Sequence, residues 1–368
     1  MTGQPSPLPY RPGGTLVIQT HTPPPPIAAR YKTGYSIRKP IRGLSANPFI
    51  DRMDFALFHP PLDTPRPREA ISRLLTIVEK IDRREQGIVG GAHVVTCYLD
   101  SDKSRLYVAK IYDGIDYPLT DRGDCDFMYM ADRDYSCEAA AYNAMPSKLQ
   151  GSIVPRYFGS WTCSIQTGVP DRPYRCVRLI LLEYIKGECM LDMILCAQRV
   201  TQPTQPKAAY DTLPINYKLL PPEPERLNIL ASIIEAEITL FKAGINHRDL
   251  APRNVLISHS PTRVVLIDFA LSTVFNCYPR GREFLRSQER YALPISPIER
   301  YWNSSCFGHE FGAWCPKAWL TDEDGAKKWL LQRWGGSTKF QPVAEDFLEV
   351  FDDDPLLKTV RAEKTSDN

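Results

Sequence analysis

Hydrophobic and polar positions in the first half of the chain predict a small sheet and two helices. HVVTCYL (residues 93–99) and RLYVAKIYD (105–113) are rich in β-branched and aromatic residues and predict strands, as does the apolar run VRLILLEYI (177–185). ISRLLTIVEKI, residues 71–81, has helical spacing and predicts a helix. The alanine-rich stretch YSCEAAAYNAM predicts a second helix, which ends before Pro146.

The second half begins after a proline-rich connection, residues 201–225, and opens with a strongly amphipathic pattern. ERLNILASIIEAEITLFKAG places its apolar residues on one helical face, and Gly244 is the predicted stop. NVLIS and RVVLID are two short apolar runs joined by the polar turn HSPT, which predicts a β-hairpin. YPRGREFLRSQERY is interpreted as a basic loop, and a tryptophan-rich helical segment and an acidic tail follow it.

The segment up to about residue 70 lacks sustained helical or strand periodicity and is rich in proline, including the run Pro23 to Pro26. We therefore expect an extended or weakly ordered arm. Its proline tract is interpreted mainly as a solvated polyproline II spacer, and docking into the aromatic groove of a partner protein is the alternative.

Composition excludes several classes of protein. The chain has 368 residues, of which 43% are hydrophobic and 24% charged, as in ordinary globular proteins. Its formal net charge of +2 gives no reason to expect nucleic acid as a partner. The longest apolar run is too short to span a bilayer, and none of the 10 cysteines falls in a C-x-x-C pair. We expect reduced thiols and a cytoplasmic or nuclear, non-membrane, non-secreted protein.

The strongest candidate chemistry lies in NHRDLAPRNVLISHSPTRVVLIDFA, residues 246–270. A hairpin brings its two ends together, so Asn254 before the first strand is expected to lie near Asp268 after the second. An amide oxygen beside a carboxylate suits a hard cation such as Mg²⁺, which keeps other ligand positions for waters and phosphates. Asp249, five residues before Asn254, is expected to face the same point.

The patterns H-R-D-L-x-x-x-N and D-F-x in this stretch resemble the catalytic and metal-binding loops of the protein kinases. The resemblance implies an α+β, bilobal protein kinase-like fold, with a small antiparallel-sheet N-lobe and a mainly helical, shortened C-lobe. It also implies four regions. These are the proline-rich arm (1–70), the N-lobe with its hinge (71–185), the C-lobe (186–345) and an acidic tail (346–368).

The resemblance assigns roles in ATP binding. Lys110, in VAK, would bind the α- and β-phosphates, and Glu138 is the candidate that orients it, although Asp132 and Asp134 lie nearby. Other nucleotide contacts follow from family spacing. They are Gly90 and Gly91 in a flexible flap, Val95 under the nucleotide, Leu182 at the back pocket, and backbone groups of Glu183 to Ile185 facing the adenine.

The resemblance also assigns the transfer step. Asp268 and Asn254 would hold Mg²⁺ across the phosphates of ATP, and Asp249 would orient the acceptor hydroxyl and take its proton. Arg253 lies in a D-L-A-x-R-N variant similar to that of tyrosine kinases, and it could supply positive charge to the transferred phosphate. A divergent protein kinase acting on Ser, Thr or Tyr hydroxyls is the leading hypothesis.

Three departures from the family pattern support two alternatives. Ala270 replaces a glycine, only Gly90 of three loop glycines is present, and the region after SPIERY is short. The short region favours a small-molecule kinase of the aminoglycoside or choline type, acting on an alcohol or amine, whereas Arg248 disfavours it. The imperfect glycine loop and Ala270 favour a pseudokinase that acts as a binding scaffold.

Overall fold

In this computed structural model the chain forms two compact units. The first is built mainly from residues 1–186 and 267–281, and the second from residues 187–201, 206–266 and 282–368. The residues that the structure describes are 9–31, 37–42, 51–65, 67–81, 91–118, 126–198, 214–259, 262–304, 307, 310–320, 322, 324–350 and 356.

Six antiparallel strands of the first unit form a closed barrel in the order β1, β2, β3, β4, β6, β5. The strands are β1 (Thr15–Thr20), β2 (Ser72–Lys80), β3 (His93–Leu99), β4 (Asp102–Tyr112), β5 (Tyr157–Gln166) and β6 (Tyr174–Glu183). β1 closes the ring because it pairs with both β2 and β5. Alternate apolar residues of all six strands fill the interior, among them Ile18, Leu75, Val95 and Leu179.

The predicted bilobal protein kinase-like fold class is wrong. The structure has a closed six-stranded barrel and, within the described residues, eight α-helices, in place of a small N-lobe sheet and a helical C-lobe. The physical reason lies in β1, which comes from the segment predicted to be a weakly ordered arm. Leu16 and Ile18 alternate with exposed residues, so the strand contributes a buried face and closes the sheet.

Strand β2 corrects the helix predicted for residues 71–81. Leu75 and Ile77 are buried at a spacing of two, and the strand carries the β-branched pair Ile77 and Val78. A bulge between Ile77 and Glu79 shifts the register against β3. Leu74 and Val78 are apolar but exposed, and together with the two buried residues they gave the sequence its helical spacing. The three predicted strands that became β3, β4 and β6 are confirmed.

The proline tract is also part of the folded first unit. Pro24 and Pro26 are buried, and Ile27 after them is fully buried. The predicted solvated spacer is therefore wrong for these residues. Pro24 and Pro26 are also inaccessible to an aromatic groove of a partner protein. Helix α1 (Arg52–Phe58) follows within the predicted arm, and Asp51 caps it by accepting from the Met53 and Asp54 N–H groups.

Helix α2 (Phe127–Ala144) is the long helix of the first unit. Asp126 caps its start by accepting a hydrogen bond from the Tyr129 N–H at 2.6 Å, and the helix ends before Pro146 as predicted. The short strand β11 (Thr273–Val274) belongs to the same unit. Helix α2 contacts β4, β6 and β11, so it lies where polar side chains on the outside of the barrel can reach it.

The second unit contains the predicted hairpin and the predicted amphipathic helix. The hairpin strands β9 (Val255–His259) and β10 (Thr262–Leu266) pair antiparallel, and β7 (Glu188–Cys189) joins them at β9. Helix α4 (Glu223–Lys242) buries Leu230, Ile234 and Ile238 of the predicted apolar face. Gly244 adopts a φ of +85° just beyond it, in the left-handed region that favours glycine.

The predicted basic loop at residues 278–291 is wrong, since most of it forms a helix. Pro279 is compatible with this helix because it occupies the first position, where its missing N–H costs nothing. The other described elements are short. They are β8 (Ile245–Asn246), α3 (Met190–Ala197), α5 (Pro279–Glu289), α6 (Pro297–Tyr301), α7 (Gly325–Trp334) and α8 (Glu345–Val350). No helix among the described residues is long and apolar enough to cross a membrane.

We expect the folded first unit to lose stability in mild acid through His21. Its Nδ1 lies 2.6 Å from the Tyr135 hydroxyl and its Nε2 3.0 Å from Thr64 Oγ1. Burial, and then the nearby Arg178 charge, lower the pKa of His21 to about 4. The unfolded chain therefore binds the proton first, and stability present above pH ~6.5 is lost as pH falls towards 4, by on the order of 2 kcal/mol once solvent exposure is allowed for.

Urea unfolding of the wild type and of His21→Gln between pH 7 and 4 measures this effect. Glutamine does not titrate, so the variant should show a flatter dependence of unfolding free energy on pH. Equal slopes for the two proteins would exclude His21 as the source.

Candidate functional site

Lys110 lies on β4 with its side chain on the outer face of the barrel. Antiparallel register places Val94 of β3 opposite Lys110 and Leu182 of β6 opposite Val108. Directly paired residues, and residues two apart on one strand, share a face of a sheet. Val94, Val108 and Leu182 therefore lie on the same face as Lys110.

The position of Val95 does not agree with the predicted contact between its side chain and a nucleotide. Val95 is fully buried in the core of the barrel, on the face opposite to that of Lys110. Val94 and Val108, which the sequence interpretation missed, occupy the face where a nucleotide bound by Lys110 would lie. Val108 could have been predicted from the sequence, because residues two apart on a strand lie on the same face and Val108 is two residues from Lys110.

Lys110 is held by two carboxylates. Its Nζ lies 2.6 Å from Glu138 Oε2 on α2 and 2.7 Å from Asp268 Oδ1. The Glu138 side chain is fully buried, whereas that of Asp268 is 42% exposed. The pairing of Lys110 with Glu138 follows the sequence prediction, and Asp132 and Asp134 have other partners, Arg38 and Arg133.

Three donors converge on Glu138. Besides Lys110, the Tyr112 hydroxyl donates to Oε2 at 2.7 Å, and the Phe269 N–H donates to Oε1 at 3.3 Å. Burial raises the pKa of Glu138, and the Lys110 charge opposes that rise. Burial lowers the pKa of Lys110, but the charges of Asp268 and Glu138 more than offset it, so the pKa is raised and the ammonium stays charged. The cluster provides a fixed cation at neutral pH.

Asp268 adopts an uncommon backbone conformation. Its φ is +64°, in the left-handed region that few non-glycine residues occupy, and such strain persists only where surrounding contacts hold it. The Ala270 N–H donates to its Oδ1 at 3.4 Å. Ala270 itself is not among the residues with positive φ, so its side chain is compatible with the backbone seen here.

In the second unit, Asp249 lies in a loop that is held by hydrogen bonds and an ion pair to nearby residues. Arg253 forms an ion pair with its Oδ1, while Asn254 Nδ2 donates both to its Oδ2 and to its backbone carbonyl at 2.8 Å. The Asp249 N–H donates to Nδ1 of the fully buried His247 at 3.3 Å. The intervening Arg248 has a φ of +63°, so this loop is strained as well.

Two residues were predicted to hold Mg²⁺, and each has suitable chemistry. Because Asn254 Nδ2 makes two hydrogen bonds to Asp249, the amide oxygen is directed elsewhere and remains an acceptor. Asp268 supplies a partly exposed carboxylate. Each residue supplies one hard oxygen of the kind that Mg²⁺ takes together with phosphates and waters. Among the described residues there is no cluster of three or more His, Cys, Asp or Glu side chains able to hold a metal without such help.

The predicted adenine contacts lie at the end of β6. Leu182 is buried on the Lys110 face, and the Glu183 N–H already donates to the Arg156 carbonyl at 2.8 Å. The Ile185 side chain is buried. In the predicted flap, Gly91 lies so close to Tyr117 and Asp134 that a Cβ would approach them at 3.0–3.1 Å, and Gly90 lies outside the described residues.

The described site residues thus form one group in each unit, Lys110, Glu138 and Asp268 in the first and Asp249, Arg253 and Asn254 in the second. Compared with known proteins, the chain matches no protein-family model and no curated protein. The first group offers a largely buried ammonium, 12% exposed, between two carboxylates. The second offers a carboxylate held in place by an amide and a guanidinium.

Proposed function

We propose that this chain is an ATP-dependent phosphotransferase that uses Mg²⁺ and phosphorylates Ser, Thr or Tyr hydroxyls of proteins. The observation that carries the proposal is the bridge of Lys110 between the buried Glu138 and the partly exposed Asp268. A cation that needed only charge compensation in the fold would be satisfied by Glu138. Asp268, the second carboxylate, is held in a strained conformation at the surface. Its presence is explained if it binds a metal ion whose phosphate ligands lie beside the ammonium.

Glu138 orients Lys110 in this proposal. Its burial and its bonds from Tyr112 and the Phe269 N–H fix the carboxylate, so the ammonium is held where it can contact the α- and β-phosphates of ATP. Val94, Val108 and Leu182 would provide an apolar surface for the adenine on the same face. Mg²⁺ held by Asp268 and Asn254 would neutralise charge on the phosphate oxygens.

Asp249 is the proposed base. As the bond from the acceptor oxygen to the γ-phosphorus forms and the bond from phosphorus to the β-γ bridging oxygen breaks, the acceptor proton passes to the Asp249 carboxylate. Asn254 holds this carboxylate by a bond to Oδ2, and Arg253 holds Oδ1. The guanidinium of Arg253, 44% exposed, would also stabilise charge on a transferred phosphate in this proposal.

The test is to incubate the purified full-length chain with γ-labelled ATP, alone, with a peptide library, and with a set of small alcohols and amines. We expect label to be transferred to hydroxyl-bearing peptides, with no transfer once EDTA has removed Mg²⁺. Transfer only to small alcohols or amines would instead assign a small-molecule kinase. Mg²⁺-independent transfer would contradict the roles of Asp268 and Asn254.

A second candidate is a binding scaffold without catalysis. It is favoured by the ion pairs themselves, since Lys110 neutralises Asp268 and Arg253 neutralises Asp249 without any metal or nucleotide. Isothermal titration of the wild type with ATP and Mg²⁺ distinguishes the two candidates. Absence of nucleotide binding, together with absence of transfer to any acceptor, would favour the scaffold.

We further propose that the protein works in the cytoplasm or nucleus. All eight cysteines among the described residues carry free thiols, four of them buried. Free thiols persist in reducing compartments. Alkylation of protein extracted under native conditions, followed by mass spectrometry, would count the thiols that remain unpaired.

A further inference from the structure

Residues 27–31, here called the strap, bind the backbone just after Asp268. Arg30 Nη2 donates to the Ser272 carbonyl at 2.5 Å and to the Leu271 carbonyl at 3.0 Å. The Tyr31 hydroxyl donates to the Ser272 carbonyl at 3.3 Å and accepts from the Val274 N–H at 2.6 Å. Two side chains of the strap therefore make four hydrogen bonds to one short stretch of main chain.

The strap also binds helix α2, which carries Glu138. The Ile27 N–H donates to Ser136 Oγ at 3.3 Å, and the Tyr129 hydroxyl donates to the Ile27 carbonyl at 3.1 Å. Ala28 and Tyr31 pack in a small apolar cluster with Cys137, the neighbour of Glu138. The strap thus joins the two elements that supply the carboxylates of the Lys110 cluster.

Residues 269–272, between Glu138 and the strap, are also held by hydrogen bonds. The Phe269 N–H donates to Glu138, and the Ser272 N–H and hydroxyl donate to the Phe269 carbonyl at 3.0 and 2.7 Å. Residues 269–274 are therefore fixed by Glu138 at one end and by the strap at the other. Asp268 directly precedes them, and its positive φ needs such support from outside the residue.

We propose that Arg30 and Tyr31 are positioning residues of the phosphoryl transfer, which hold residues 271–274 so that Asp268 keeps its place beside Lys110 and Glu138. This inference rests on the proposed function. It assigns the proline-rich N-terminal region a part in the chemistry of residues more than two hundred positions away in the chain. Neither Arg30 nor Tyr31 touches the substrate in this role.

The first test compares full-length wild type with Tyr31→Phe, which keeps the ring and removes the hydroxyl. Loss of hydrogen bonds worth about 1 kcal/mol should weaken Mg²⁺-ATP binding about fivefold, while binding of ATP without Mg²⁺ stays within about twofold. Hydrogen exchange at residues 269–276 should become faster, since the Val274 N–H loses its acceptor. Tyr278→Phe is the matched control, because that ring packs against Tyr31 and its hydroxyl has no hydrogen-bond partner in the described part of the chain.

A second pair of variants tests Arg30. Arg30→Ala should reproduce the loss of Mg²⁺-ATP affinity, and Arg30→Lys should restore part of it, because an ammonium can still donate to the Leu271 and Ser272 carbonyls. Unchanged Mg²⁺-ATP affinity or unchanged exchange in Tyr31→Phe and Arg30→Ala would overturn the positioning role. Failure of the proposed function appears separately, as a wild type that binds no Mg²⁺-ATP, and the inference then fails with it.

Discussion

The Asp249→Asn variant is expected to lose at least about a hundredfold in kcat, the usual scale for a positioned general base, while its ATP affinity stays within about twofold. The amide is nearly the size of the carboxylate, so the loop should keep its shape, but it cannot accept the proton of the acceptor hydroxyl. Asn254 would then face an amide in place of a carboxylate, and Arg253 would keep only its longer ion pair with Glu310, at 3.7 Å. Single-turnover transfer from labelled ATP, with separate titration of ATP binding, measures both quantities.

Asp324→Asn is the matched control for this variant. Asp324 lies in the same unit, its side chain is 52% exposed, and its ion pair with Lys327 spans 4.0 Å. The same chemical change there should leave kcat unaltered. Comparable kcat values for wild type and Asp249→Asn would remove Asp249 from the mechanism, whatever the result for other residues of the site.

The largest effect on stability is expected from Arg175→Met. Arg175 forms two parallel hydrogen bonds with the fully buried Asp113, at 2.5 and 2.6 Å, and the Tyr10 hydroxyl donates to the same carboxylate at 2.7 Å. Methionine fills similar space but leaves the buried Asp113 carboxyl without its ion-pair partner. Breaking a buried pair in this way typically costs about 3–5 kcal/mol of unfolding free energy.

Arg73→Met provides the comparison at the surface. Arg73 pairs with Asp100 at 2.5 Å, with exposed side-chain fractions of 49% and 40%. Because exposed pairs are solvated and screened, this variant should change stability little. Urea unfolding of both variants at neutral pH measures the difference. Equal decreases in unfolding free energy for the two variants would show that burial does not determine how much the Arg175–Asp113 pair stabilises the protein.

Elements with strong local signals were predictable from sequence. The helix that became α2 has a run of alanines and a proline just beyond its end, and α4 has a continuous apolar face. The hairpin of β9 and β10 has two apolar runs separated by a short polar turn. In each of these the information lies within about twenty residues, so pattern and propensity suffice.

Closure of the barrel was not predictable in the same way. β1 is short, follows a glycine pair and lies in a proline-rich segment, and it is stable because β2 and β5 supply its hydrogen bonds. β5 lies more than a hundred residues away in the chain. Such non-local pairing overrides local propensity. β2 was predicted as a helix because the exposed Leu74 and Val78 combine with the buried Leu75 and Ile77 to give helical spacing.

The site was predictable where spacing along one element decides the contact. Glu138 was selected over Asp132 and Asp134, and it is the residue that pairs with Lys110. Val95 was chosen by counting along a family pattern, and a shift of one residue moves a strand side chain to the opposite face. Arg30 and Tyr31 left no signal, because their side chains bind backbone groups that are far away in the sequence.

The position of β1 affects whether molecules of this protein can associate through unpaired strands. An unpaired strand at the margin of a sheet offers a row of free amide and carbonyl groups that another molecule can extend. Because β1 is bonded along both sides, to β2 and to β5, the barrel presents no such margin. Removal of the N-terminal strand would expose edges of both β2 and β5, to which a strand of another molecule could pair.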